Sequence, residues 1–144
     1  MIIMYSFCAT LMMTLFSYSF SIFCEHQFKE PELLNQLIKS SKLPFKPKKK
    51  SFLGWLVHFI IGLVFAEFTI LGWEYFHSIS YFVYGLISGI IAGVMGIFGW
   101  YLMFKVNPQP PSIHLNKFYI QLVIAHIVFT LTTMIFINFN NFFG

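Results

Sequence analysis

The chain has 144 residues, 58% of them hydrophobic and 10% charged, with a formal net charge of +4. Soluble domains carry about a quarter of charged residues, so this composition excludes an ordinary soluble fold and describes an integral membrane protein of one compact domain. The basic excess comes without the aromatic-basic pattern of RNA-binding modules, which leaves anionic lipid headgroups, and no nucleic acid, as its expected partner.

Residues 2–23 form an apolar run diluted by Ser6, Thr10, Thr14, Ser17, Ser19 and Ser21. A secretory signal would start with a basic segment and end in a small-residue cleavage motif, and the run has neither, so it is expected as an uncleaved first span. Cys8 and Cys24 lie on this same predicted helix, roughly 24 Å apart along its axis, too far for a disulfide. They read as small apolar packing residues.

Residues 25–51 are the one substantial polar segment. Pro31 after Glu30 suits a helix start, and Leu33, Leu34, Leu37 and Ile38 make one apolar stripe, which predicts a short helix lying on the membrane surface. Beyond it Lys42, Pro44, Lys46, Pro47, Lys48, Lys49 and Lys50 form an extended basic tether, in which Lys46, Lys48, Lys49 and Lys50 are expected to meet lipid headgroups. Each lysine near an anionic leaflet contributes about 1 kcal/mol at most.

The second span is expected over residues 52–76. Gly54, His58, Gly62, Ala66 and Thr69 follow one another at steps of three and four, a seam of small residues suited to close helix packing. A link at residues 77–80 leads to the third span, 81–106, which carries the glycine ladder Gly85, Gly89, Gly93, Gly96 and Gly99. At about 100° per residue these glycines fall within roughly a third of the helix circumference and bare one face of its backbone. The simplest partner for that face is the His58 seam. Pro108, Pro110 and Pro111 make residues 107–117 an extended loop, and the fourth span follows over 118–139 with His126 inside it. Asn138, Asn140 and Asn141 then close the chain among phenylalanines, as an interfacial end would. The expected fold is an all-α polytopic bundle of four transmembrane helices.

Seven lysines lie between the first and second spans, and Lys105 and Lys117 flank the loop between the third and fourth, whereas residues 77–80 contain none. The positive-inside rule then places both termini outside and both basic loops in the cytoplasm.

Three intramembrane residues are candidates for a polar site. His58 and His126 each sit about 10 Å inside the cytoplasmic edge of their spans, level with Gly96 and Gly99 and with Thr14 and Ser17. Two imidazoles at one depth can bind a metal ion, clamp a haem or relay protons, or each can simply bond a hydroxyl or carbonyl on a neighbouring helix. Two are fewer than the four ligands usual for structural zinc, and neither a metal nor a cofactor is assigned. Glu67 is the one acid well inside a span, where a carboxylate is costly unless protonated, paired or wetted. It is half a turn out of phase with His58 and levels instead with Thr10, Ser88, Thr132 and Thr133, an expected second polar layer that is either a path or a protonated acid bonded to a hydroxyl.

Several short stretches resemble the YagU-like four-span families of small bacterial inner-membrane proteins. They are Ala9-Thr10 with Met13-Thr14-Leu15-Phe16, Gly54-Trp55-Leu56-Val57-His58-Phe59 with Gly62 and Phe65-Ala66, Tyr84-Gly85 with Gly89, and His126 with Phe129. The resemblance implies a four-helix domain of the bacterial inner membrane whose activity is not established and in which the two histidines recur. No nucleophile and base with an oxyanion site, phosphate loop or dense carboxylate cluster is present, so no enzyme is expected. The leading functional expectation is a structural or accessory membrane subunit, whose lipid-facing surfaces a second copy or a partner subunit would cover. The alternatives are a small proton-linked transporter or permease using His58, His126 and Glu67, and a bis-histidine haem or metal electron-transfer subunit.

Overall fold

A computed structural model of the chain describes residues 1–76 and 78–143, with side chains through Phe139. His77 and the side chains of Asn140 and Asn141 lie outside the described residues. The chain is all-helical: α1 (Ile2–Phe23), α2 (Glu30–Ser40), α3 (Phe52–Phe76), α4 (Tyr81–Val106) and α5 (Leu115–Phe143). All except α2 are long and apolar enough to cross a membrane, and they pack as a bundle. α5 begins within the segment expected as loop, because the last proline there is Pro111 and Leu115 onward is free to be helical; the Phe118 N–H bonds the His114 carbonyl at 2.9 Å.

The helices are arranged inside out. On α1 the hydroxyl residues Ser6, Thr10, Thr14, Ser17 and Ser21 recur every three or four positions and are all buried, while Ile3, Phe7, Leu11 and Leu15 face outward. In lipid the apolar residues lose nothing by exposure, whereas each hydroxyl needs a partner, which favours burying the polar stripe. Thr14 and Ser17 donate back to the Thr10 and Met13 carbonyls at 2.6 and 3.1 Å.

α1 packs between α3 and α5, and α5 packs between α1 and α4. The glycine ladder therefore meets α5, and not the His58 seam. Gly85 lies against Leu131 and Met134, and a Cβ placed on Gly89 or Gly93 would stand 2.6 Å from Ile127 Cα or 2.8 Å from Val123 Cα. Thr130 on α5 donates to the Gly85 carbonyl at 2.7 Å across that contact. The α3 seam is already occupied: Gly62 abuts Thr10 of α1, and Gly54 abuts Pro31 and Asn35 of α2.

α2 turns its apolar stripe toward the other helices. Both its leucine stripe and its polar residues Glu30, Glu32 and Asn35 are buried, and it plugs one end of the bundle. Asn35 fixes it there by accepting from the Gly54 N–H at 2.8 Å and donating to the Ser51 and Lys49 carbonyls at 2.7 and 3.1 Å. Asn107, just past α4, donates to the Leu37 carbonyl at 2.8 Å. Asn35 satisfies backbone groups at the start of α3 that have no partner within that helix, which explains why a polar residue occupies this buried position.

Candidate functional site

Beneath α2, the four long helices leave a cavity of about 130 Å³. That is on the order of the space taken by several waters or a benzene-sized group. Its polar wall is Thr10, Glu30, His58 and His126; Gly96 and Gly99 make part of the opposite wall, and Met95, Trp100 and Phe129 are among its apolar residues.

Hydrogen bonding fixes the neutral form of each imidazole. The single Thr14 hydroxyl proton goes to the Thr10 carbonyl, so the 3.1 Å contact between Thr14 Oγ1 and His58 Nε2 makes the ring the donor and leaves His58 Nδ1 as a lone pair. His126 Nδ1 lies 2.8 Å from the Leu122 carbonyl, which can only accept, so Nε2 carries the lone pair in the neutral ring. Both rings are buried, and the His126 ring leans edge-on to Phe65 with centroids 5.2 Å apart. A Cβ on Gly96 would stand 2.8 Å from His126 Cε1. Glycine at that position makes room for the ring.

The third group was not singled out by the sequence. Glu30, the first residue of α2, is 1% exposed. Its Oε1 lies 2.7 Å from Ser17 Oγ and 3.2 Å from Gln121 Nε2, and Gln121 Nε2 also donates to Ser17 at 2.6 Å. Glu30 Oε2, Thr10 Oγ1 and Gln121 Oε1 are buried without a hydrogen-bond partner among the described residues. Burial pushes the Glu30 carboxyl up to about 7, against opposing hydrogen bonds from Ser17, its own backbone and Gln121. Ser17 has one proton for two acceptors. When it serves the Met13 carbonyl, a protonated Glu30 can donate to Ser17; when Glu30 is ionised, Ser17 can turn its proton to the carboxylate.

Glu67 is not part of this site. It is exposed on the outer face of α3, although Thr10 and Thr133 are buried. One residue beyond Ala66 turns a helix by about 100°, which carries Glu67 off the seam that α1 covers. The expected layer of Glu67 with Thr10, Ser88, Thr132 and Thr133 therefore does not form. The basic tether runs along the outside of α2. Lys49 reaches Glu32 at 3.6 Å, Lys46 donates to the Lys39 and Ser41 carbonyls at 2.9 and 2.8 Å, and Lys48 and Lys50 are exposed. Among the described residues no group of three or more His, Cys, Asp or Glu side chains is placed to hold a metal ion.

Two signals for Glu30 and Gln121 were present. The hydroxyls of α1 recur at helical spacing, which marks a polar seam and not random dilution. Gln121 stands four residues before Ala125 and seven before Val128 in an otherwise apolar span. Compared with protein families, curated proteins and solved structures, the chain finds no match. Fold and site together define a multi-pass helical bundle with a partly open, mainly apolar cavity beneath α2 into which a few buried polar groups project.

Proposed function

We propose that the protein is a small proton-linked permease of the bacterial inner membrane, in which Glu30, His58 and His126 take up a proton together with a small ligand. The observation that carries this reading is the buried, unpartnered Oε2 of Glu30 at a cavity also walled by two imidazoles. An unsatisfied buried carboxyl oxygen is costly in a purely structural role and useful where a ligand or proton completes it. With Glu30 replacing Glu67, the polar set comprises one acid and two bases lining one cavity. The lysines flanking the α2 end support a cytoplasmic placement of the plug, with both termini outside.

The test is proton flux in proteoliposomes under an imposed pH gradient. Wild-type protein should raise flux above empty vesicles, and Glu30→Gln should return it to that background. Equal flux in Glu30→Gln and wild type would remove the proposed acid from the path.

Glu67 favours an additional role in assembly. A carboxyl on the outer face of α3, about 14 Å from the helix end, is expensive in hydrocarbon, and a second copy or a partner subunit that bonds it would relieve the cost. On this reading Glu67→Leu dissolves an oligomer that crosslinks in native membranes, while Glu67→Gln, which keeps hydrogen bonding, retains most of it. Unchanged crosslinking in Glu67→Leu removes the acid from any interface.

A further inference from the structure

α3 and α4 are consecutive, yet they diverge from the link that joins them. At that link the rings of Trp73 and Tyr81 stack 4.5 Å apart, and the Tyr84 hydroxyl donates to the Thr69 carbonyl at 2.8 Å. From Phe76, Ile79 and Tyr84 at the link toward Phe65 and Met95, the two helices bound a cleft of about 460 Å³. Its rims, Val64 and Phe68 on α3 and Ile87 and Ile91 on α4, are exposed apolar side chains. Between two spanning helices such a cleft faces hydrocarbon. Phe65 and Met95 line both the cleft and the cavity beneath α2, so the two spaces share a wall.

We propose that the ligand is a single-chain amphipath with a hydrogen-bond-donating, ring-sized head, admitted sideways from the bilayer through the α3–α4 cleft. The proposal rests on the cavity being a ligand site and specifies what the ligand is. The chain would lie between Phe65 and Phe76 along α3, a run of about 16 Å. The head would replace whatever fills the cavity beneath α2. Its chemistry follows from the unpartnered groups: His58 Nδ1, His126 Nε2 and ionised Glu30 Oε2 accept, against a single unpartnered hydroxyl among the described residues, that of Thr10. Hydroxyls that donate, as in a long-chain phenol or hydroquinone, complement the three acceptors; an ether or a ketone, which only accepts, can pair with Thr10 alone. The cavity is also close in size to one aromatic ring. Phe65 and Met95 stand where head and chain would join, and methionine adapts to such a passage with little rotamer strain.

The experiment uses the full chain in detergent and measures the rise in unfolding midpoint with 4-decylphenol, its methyl ether 4-decylanisole, and phenol itself. The phenol and its ether partition similarly into micelles but differ in the donor. Decylphenol should bind about tenfold more tightly than decylanisole, the worth of one hydrogen bond to a buried partner. Ile91→Trp, which fills the cleft from its outer rim without touching α5, should weaken decylphenol by about tenfold and leave phenol unaffected. If Ile91→Trp loses helix content, Phe68→Trp on the facing rim serves in its place. Equal binding of decylphenol and decylanisole overturns the donor head. Unchanged decylphenol binding in the filled variant overturns lateral admission. Failure of phenol and decylphenol alike to shift the midpoint would sink the ligand site itself, an outcome distinct from the other two.

Discussion

Helix α4 meets its two chain neighbours in opposite ways. Against α5 it presents Gly85, Gly89 and Gly93 and lets Ile127 and Val123 approach its backbone; against α3 it presents Ile87, Ile91 and Met95 and stays apart beyond the Tyr84 contact. Both faces are apolar, so hydrophobicity does not distinguish them in a bilayer. What differs is side-chain size: small residues permit dispersion contacts between backbones, while large branched ones are as well solvated by lipid as by another helix. The outcome is one closed seam and one open cleft on the same helix.

The sharpest way to break this contrast is at the closed side. Gly89→Val would drive its branched side chain into Ile127, where even a Cβ stands 2.6 Å from a backbone carbon, so one helix must move. Overpacking of this kind costs about 3 kcal/mol or more when backbone has to shift. The expected outcome is loss of the folded monodisperse species in size-exclusion chromatography.

Next in size is the effect of pH on the polar end of the seam. Glu30 is protonated more readily in the folded chain than in the unfolded one, so between about pH 4.5 and about pH 7 the folded state holds the extra proton. The stability that Glu30 contributes is then full at the acid side of that window, falls as pH rises through it, and levels off above. The total is about 3 kcal/mol if the unfolded carboxyl titrates normally. Ser17 of α1, His58 of α3, Gln121 and His126 of α5, and Glu32 of α2 are the polar groups around it, and all remain in Glu30→Gln. The melting temperature of wild type relative to that of Glu30→Gln should therefore fall from pH 5 to pH 8; parallel curves would mean that the carboxyl is not held in the burial described.

Most of the fold was legible in the sequence, because a run of apolar residues in lipid has few options. The four long helices were delimited by apolar length and by proline and charge at their ends, and the two histidines were placed at one level by counting residues. Their cavity was not foreseen, since Glu30 belongs to the polar segment, which composition assigns to the surface. Partner choice was also beyond sequence reasoning. The α3 seam and the α4 ladder are both small-residue faces, and spacing alone gives no reason why each takes a different helix. The structure supplies one: the α3 seam is filled by hydroxyl-bearing α1, whose Thr14 bonds His58, and the ladder receives the β-branched face of α5, whose Thr130 bonds the Gly85 carbonyl. Glu67 was misplaced for a related reason. Its place inside a long apolar helix was legible, but its direction depended on which face α1 would cover.

The smallest predicted effect separates the ladder's two functions within a single turn. Gly96 and Gly99 are both part of the cavity wall, but a Cβ on Gly96 would meet the His126 ring at 2.8 Å, whereas around Gly99 nothing stands within 4 Å among the described residues. Gly99→Ala should leave stability within about 0.5 kcal/mol of wild type, with any gain in helix propensity set against lost cavity space. Gly96→Ala should cost about 1 kcal/mol and push His126 away from its Leu122 carbonyl, because a side chain can yield where the backbone of Ile127 cannot. Thermal unfolding of the two variants in one detergent reads the difference, and the His126 ring resonances report the displacement. If both alanines proved equally mild and the ring did not move, Gly96 would be only a packing residue of the α4–α5 seam, and the cavity would end before it.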